Sequence, residues 1–418
     1  MSTTRQLTRR RALGLMSLPA LGLGLAACGG SGFEDDPAAG GGQSGDGEGL
    51  TVLIGSSGDA ETKAVQDAAA AWSEESGVAV EIIAASDLNQ QLSQGFASGS
   101  PADIFYLSTD ALAGYASNGS LAPYGDDADN TGDFYPALIE AFTLEGHLYG
   151  LPKDVSTLAL LINTELWEAA GLTDDDIPTD WDQLADVARR AATDSVAGLT
   201  MSTEYQRIGA FMAAAGGELV TDGAATADSP ENLEALEYVK SLLEDGALRF
   251  SSDLGAGWGG EAFGAGSAVM VVEGNWITGA LSSDYPDLEY KVVELPAGPG
   301  GKGTLQFTNA WGVAADSPNQ ARAIELITFL TSAEQQMEFA RAFGPMPSVT
   351  AASEEWREEF PDQAAFLDGV EYAKNPPAQA GTADVVADLN AQLETLASGD
   401  PATILASVQT NLEAALAG

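Results

Sequence analysis

"TVLIGSSGDAETKAVQDAAAAWSEESGVAVEIIA", residues 51–84, holds the pattern that decides the fold. Residues 51–54 are a short apolar run of strand length. Asp59 then stands where it can cap a helix. Val65, Ala68 or Ala69, and Trp72 follow at helical spacing, and Gly77 stops the run. Residues 78–84 read as a second strand. Asp87 caps a further helix, with Gln90 in the capping-box place and Leu88, Leu92 and Phe96 as its apolar stripe. Pro101 breaks that helix, and residues 104–107 are a third strand. Strands alternating with amphipathic helices predict an α/β fold with a parallel sheet.

Further along, residues 158–162 form an apolar strand. Helices are expected near 181–192, 204–214 and 230–244, the last opened by Ser229 with Pro230 at the first helical position. Strands recur at 268–272 and 290–294. Ser317-Pro318 opens a long helical pair that runs to about Phe343, and two helices near 382–397 and 401–416 end the chain. No internal repeat is visible. Ligands of open α/β sheets lie outside the carboxyl ends of the strands. That rule draws attention to residues 55–59, 108–110, 153–156, 273–276 and 308–311, all polar or aromatic. The chain has 418 residues; once its first 49 are set aside, the rest is long enough for two lobes rather than one core.

The N-terminus reads "TRRRALGLMSLPALGLGLAACGG" from Thr8 onward. Arg5, Arg9, Arg10 and Arg11 form a basic region, and the apolar stretch 12–27 is too short to span a membrane as a mature helix; together they have the shape of a signal peptide. Residues 8–13 also resemble a loose twin-arginine signal. Leu25-Ala26-Ala27-Cys28 resembles the lipobox of bacterial lipoproteins. Cys28 is the single cysteine of the chain, so it has no disulfide partner within it. The expectation is a signal peptide over 1–27, a lipid on Cys28, and a flexible acidic Gly-rich tether over 28–49. A diacylglyceryl cysteine brings two acyl chains, enough to hold a protein to a membrane that it does not span.

The sequence has 17 Lys and Arg against 62 Asp and Glu, a formal net charge of −45. Such a surface rejects nucleic acid and anionic headgroups. The acids are spread along the chain, which fits solubility better than a dedicated site for cations such as polyamines, although capture of a polyamine stays open as a second reading.

Several motifs lead nowhere. "GAGWGG" (255–260) satisfies G-x-G-x-x-G, but no strand leads into it and no acid follows at the right place. "GPGGKGT" (298–304) lacks the Ser or Thr of a phosphate loop and reads as a hinge-side loop. His147 is the sole histidine and sits in a turn, so neither a zinc site nor a nucleophilic triad is available. No cofactor is expected. A glycosidase would need two carboxylates ~5–9 Å apart, a relation that sequence does not display.

Seven tryptophans remain. Trp72, Trp167, Trp181 and Trp356 lie in helical patterns, where packing is the default. Trp258, Trp276 and Trp311 lie among Gly, Asn and Ser at strand or loop ends. A sugar ring offers apolar C–H faces to an aromatic plate and a hydroxyl edge to Asp, Asn or Ser. Taken together, these three rings predict a shared stacking surface.

Four stretches in order and spacing carry a resemblance that covers almost the whole mature chain: "PADIFYLSTDALAGYASNGSLAPY" (101–124), "GHLYGLPKDVSTLALLINTELWEAAGL" (146–172) with "PTDWDQL" (178–184), "FGAGSAVMVVEGNWI" (263–277), and "NAWGVAADSPNQARAIELITFLTSAEQQMEFA" (309–340). The chain resembles the family 1 extracellular solute-binding proteins, the maltose-binding-protein-like receptors of ABC sugar importers. One departure is His147, where a Lys is common. The resemblance implies two α/β lobes with a cleft between them, one lobe at about 50–155 and 308–352, the other at about 160–303 and 358–418. It implies a ligand-stacking role for Trp276 and a hydroxyl-binding role for Asp110. Asp154 and Ser156 would face the cleft from the crossing segment, and Asn309 and Trp311 from the return crossing. Ser57, Glu61 and Trp258 are weaker candidates. The implied protein is a lipid-anchored, monomeric receptor, not an enzyme. It would stand on the outer face of the cytoplasmic membrane and hand a neutral mono- or oligosaccharide to an ABC permease. A secreted glycoside hydrolase is the rival from another class.

Overall fold

A computed structural model describes residues 49–417. The expected signal peptide, the expected lipid site at Cys28 and nearly all of the expected tether lie outside these residues.

The first element is the strand Gly49–Ile54, and the helix Asp59–Ser76 follows. Asp59 is not the cap of that helix. Gly58 holds the N-cap position and Asp59 sits in the first turn, where a carboxylate still favours the partial positive charge of the helix end. Val65, Ala68, Ala69 and Trp72 are its buried stripe, and Gly77 ends it at φ 72°. The helix Leu88–Ser98 is capped as expected, the Asp87 carboxylate accepting from the Gln90 amide. Leu92 is buried and Leu88 and Phe96 are half-buried. The helix Pro230–Glu244 opens on Ser229, whose hydroxyl accepts from the Asn232 amide. The helical pair near the end is Gln320–Leu330 and Ala333–Phe343.

The strands form two large sheets. The first runs, in spatial order, Ala79–Ala84, Gly49–Ile54, Ile104–Ser108, Asn309–Val313, Gly150–Pro152. Its first three strands are parallel, but Asn309–Val313 runs antiparallel to both neighbours. The second sheet runs Leu248–Phe250, Ala197–Met201, Ala268–Gly274, Ser156–Asn163, Thr304–Phe307, Ala373–Lys374, with Tyr290–Val293 also paired to Ser156–Asn163. Ser156–Asn163 is antiparallel to each of the three strands paired with it. Both sheets are therefore mixed, not purely parallel. The departing strands, Asn309–Val313 and Ser156–Asn163, each enter directly from the other sheet rather than through a helical crossover within their own, and only such a crossover makes the next strand parallel.

Side-chain alternation places helices on both faces of each sheet. Leu158, Leu160 and Ile162 pack with Leu184, Ile208 and Leu236 on one face of the second sheet. Ala159 and Leu161, between them in sequence, join Val271, Phe263 and Phe366 on the other. In the first sheet Val52, Ile54, Ile104 and Tyr106 face one way, and Leu53, Phe105 and Leu107 face the other.

Two segments carry the chain between the sheets, one through residues 153–155 and one through Thr308. They lie side by side. The Lys153 amide donates to the Asn309 carbonyl at 2.8 Å, and the Thr308 hydroxyl donates to the Asp154 carbonyl at 2.7 Å. The glycine-rich loop 298–303, expected beside the hinge, packs elsewhere. A Cβ on Gly298, Gly300 or Gly303 would come within 2.6 Å of the backbone of residues 213–216, so these glycines permit close approach to the end of the helix Tyr205–Ala215. His147 is exposed on the return strand of a small hairpin, just past its turn.

Candidate functional site

Trp276 follows the strand Ala268–Gly274 and caps the helix Ile277–Asp284. Its indole folds back over Gly274, where a Cβ would stand 2.3 Å from a ring carbon. Three groups fix the ring. Its Nε1–H donates to Glu273 Oε2 at 3.0 Å. The guanidinium carbon of Arg207 lies 5.3 Å from its centroid, and Phe307 meets it edge-on at 5.5 Å. Glu273 is fully buried, and Arg207 clamps it through Nη2 at 2.8 and 3.0 Å and Nε at 3.2 Å. Burial pushes the Glu273 carboxyl up, against the downward pull of Arg207, the Gly274 amide and the Trp276 indole. Held in this way, Trp276 stays 36% exposed, one of two large apolar side chains at the described surface that do so.

The exposed part of Trp276 forms one wall of a pocket of about 330 Å³ between the two sheets, within the size range of small-ligand sites. Phe307 adds a second aromatic. Asp154 and Thr308 come from the two crossing segments, Ser156 and Asn309 from the strand starts that follow them, Thr109 from the start of the helix Thr109–Ser117, and Gln306 and Asn375 from the second-sheet side. The lining is thus an aromatic plate facing a polar edge of hydroxyls, amides and one carboxylate. A larger cavity of about 500 Å³, beside Trp167 and Lys291, lies within the second-sheet lobe. There the indole is buried and its N–H is spent on the Thr173 carbonyl, so it offers no comparable plate.

Beneath the polar edge lies a buried charge network. Lys153 Nζ contacts the Asp154 carboxylate and lies 3.4 Å from Glu61 Oε1. It also sits 4.6 Å from the centroid of Tyr106. Glu61 accepts from the Ser57 amide at 2.7 Å, the Ser57 hydroxyl at 2.8 Å and the Tyr106 hydroxyl at 2.9 Å. Burial alone would raise the Glu61 carboxyl, but Lys153 and these donors outweigh it and hold it below its ordinary value. Burial would likewise lower Lys153, and its two carboxylate neighbours reverse that and raise it. Tyr106, buried beside Glu61, is pushed well above the ordinary phenol range. Lys153 is thereby neutralised and offers no free cation to the pocket.

Of the residues the sequence singled out, Trp276, Asp154, Ser156 and Asn309 meet in this pocket. The expected convergence of three indoles does not occur. Trp311 is 1% exposed and packs edge-on against Tyr106 at 4.8 Å in the core beside the first sheet. It sits in mid-strand, opposite Tyr106 and Leu151. Trp258 is half-buried and lies over Gly260, at the start of the helix Gly259–Gly264, outside the pocket lining. Asp110 points from an exposed first helical turn, and its neighbour Thr109 lines the pocket instead. Ser57 and Glu61 serve the charge network below. Glu273 lies in a strand-end segment that the sequence singled out, though no role was expected for it; Arg207, Gln306, Phe307 and Asn375 were not anticipated. Arg207 and Glu273 are 66 residues apart, and only the fold brings them together.

A model of the bacterial extracellular solute-binding proteins matches residues 67–368. The chain belongs to this family. A binding protein of Brucella abortus is 26% identical over 345 residues, covering 79% of this chain and 83% of its own. The diacetylchitobiose-binding protein of Streptomyces coelicolor is 24% identical over 357 residues, covering 82% and 83%. The cyclic α-maltosyl-1,6-maltose-binding protein of Arthrobacter globiformis superposes with a TM-score of 0.78 at 22% identity, over 88% of this chain and 99% of that one. That likeness places this solute-binding protein in the two-lobed fold.

Proposed function

We propose that this solute-binding protein captures a neutral mono- or oligosaccharide in the pocket between its lobes and delivers it to an ABC permease. The observation that carries the reading is Trp276, a half-exposed indole locked by Glu273, Arg207 and Phe307 opposite a rim of Asp154, Ser156, Thr308 and Asn309. A flat apolar plate facing hydroxyl and amide groups matches the two chemistries of a pyranose. The names of the Streptomyces and Arthrobacter relatives, both sugar-binding, point the same way. The lobes are taken as residues 50–155 with 308–352 and residues 160–303 with 358–418. In this reading the protein acts as a monomer, tethered through a lipid on Cys28 to the outer face of the cytoplasmic membrane. No helix among the described residues is long and apolar enough to cross a membrane.

Arg207 stands against the ligand plate, but Glu273 and Glu204 occupy its donors. Both cations near the pocket are thus paired, which disfavours phosphate and carboxylate ligands. A polyamine site would need several free acids. Asp154 is the single carboxylate of the described lining, and it contacts Lys153. A two-carboxylate glycosidase lacks its second acid there for the same reason. Calorimetry of the protein from residue 29 onward against neutral sugars and polyamines tests the reading. Heat and micromolar affinity with at least one sugar are expected; binding to a polyamine with no response to any sugar would sink it.

A further inference from the structure

Gln306 is 1% exposed, lies in the strand Thr304–Phe307 and contributes to the pocket wall. Its Nε2 donates to Asn375 Oδ1 at 2.9 Å, and Asn375 Nδ2 donates in turn to the Ala137 backbone carbonyl at 3.0 Å. The direction of this relay is forced by chemistry. A backbone carbonyl only accepts, so Asn375 must turn its NH2 group toward Ala137. Its remaining oxygen then only accepts, so Gln306 must turn its NH2 group toward Asn375. What is left is Gln306 Oε1, a buried acceptor with no donor partner among the described residues. A buried acceptor left unpaired is costly, and such groups are normally paired in a working protein.

We propose that Gln306 Oε1 is a specificity-determining acceptor for one ligand hydroxyl, and that Asn375 is its positioning residue. This rests on the sugar-receptor reading and deepens it, because it requires the ligand to present a hydroxyl donor at that wall. The relay also spans the two lobes. Ala137 belongs to the helix Pro136–Ala141, which packs beside the strand Gly150–Pro152 of the first sheet, whereas Gln306 is in the second sheet. The acceptor is therefore oriented when the lobes are together. When they part, Asn375 loses Ala137 and the Gln306 amide is free to turn either end to the pocket. Selection for the hydroxyl is thus made on closure.

The test uses wild type, Gln306→Leu and Asn375→Leu against maltooligosaccharides, lactose, arabinooligosaccharides and diacetylchitobiose, followed by monodeoxy analogues of the tightest binder. Gln306→Leu keeps shape and removes the acceptor. It should weaken the parent sugar about tenfold, the scale of one neutral hydrogen bond in a buried site. Affinity for the one deoxy analogue lacking the matching hydroxyl should stay within about twofold of wild type. Asn375→Leu should lower the discrimination between parent and that analogue, which a merely structural role would leave unchanged. If wild type binds a sugar but Gln306→Leu weakens every analogue equally, or none, this inference is overturned and the sugar reading stands. If wild type binds no neutral sugar, neither this panel nor the monosaccharides that compose it, both fall.

Discussion

Replacing Trp276 by Ala removes the plate on which the proposed ligand lies, and the size of the loss follows from exposure. The side chain is 36% exposed, and an indole residue carries up to ~250 Å² of surface, so about 90 Å² is open to a ligand. Covering that area is worth ~2 kcal/mol at ~25 cal/mol per Å². Aromatic stacking adds ~1 kcal/mol beyond area. A total near ~3 kcal/mol corresponds to about a 100-fold rise in Kd. The fold should survive. Glu273 keeps Arg207 and the Gly274 amide as donors, and no core cluster depends on Trp276. Calorimetry with the best-binding sugar reads the affinity, and urea unfolding reads the stability. Affinity within about twofold of wild type, in a protein of wild-type stability, would refute the reasoning, because the indole would then not be part of the ligand surface.

Other consequences concern the groups around that plate. Gly274→Ala places a methyl where the indole now lies; the ring must swing out, so calorimetry should show a loss approaching that of Trp276→Ala with an unfolding midpoint near wild type. Trp311→Ala should do the reverse, costing ~3–5 kcal/mol of stability in urea as a large core truncation, with sugar affinity nearly unchanged in the folded fraction. Lys153→Met strands Glu61 and Asp154 without their cation and should cost ~3–5 kcal/mol, the penalty for breaking a buried ion pair. Because the folded Glu61 carboxyl titrates below its ordinary 4.5, its contribution is complete above that pH and is lost as pH falls through the folded value. Glu61→Gln should therefore flatten the acid limb of the stability profile and leave neutral-pH sugar selectivity in place.

The elements were legible where a local device marks them. Gly77 at the end of the first helix, the Asp87 cap and the Ser229-Pro230 start each announce themselves within a few residues, and the structure has them. Strand direction was not legible. The run 309–313 is as apolar as a parallel strand would be, and only its pairing with Ile104–Ser108 shows that it runs the other way. The site was half legible for a related reason. Trp276 and Trp311 stand in similar polar surroundings in sequence, yet one is a surface plate and the other is core. A local signal does separate them. Gly274 makes room for an indole to fold back over the backbone, whereas Trp311 lies within a run, Ala310 to Ala314, that is buried on both faces. The clamp of Glu273 and Arg207 and the relay through Gln306 and Asn375 join residues 66 and 69 positions apart, and no local pattern carries such pairs.

The most direct measurement is a crystal structure of the protein with the sugar that binds it best. The account predicts a pyranose ring lying flat on the exposed indole of Trp276, with its hydroxyls reaching Asp154, Ser156 and Asn309. A sugar seated in the cavity beside Trp167, or one in the central pocket that leaves Trp276 untouched, would contradict it.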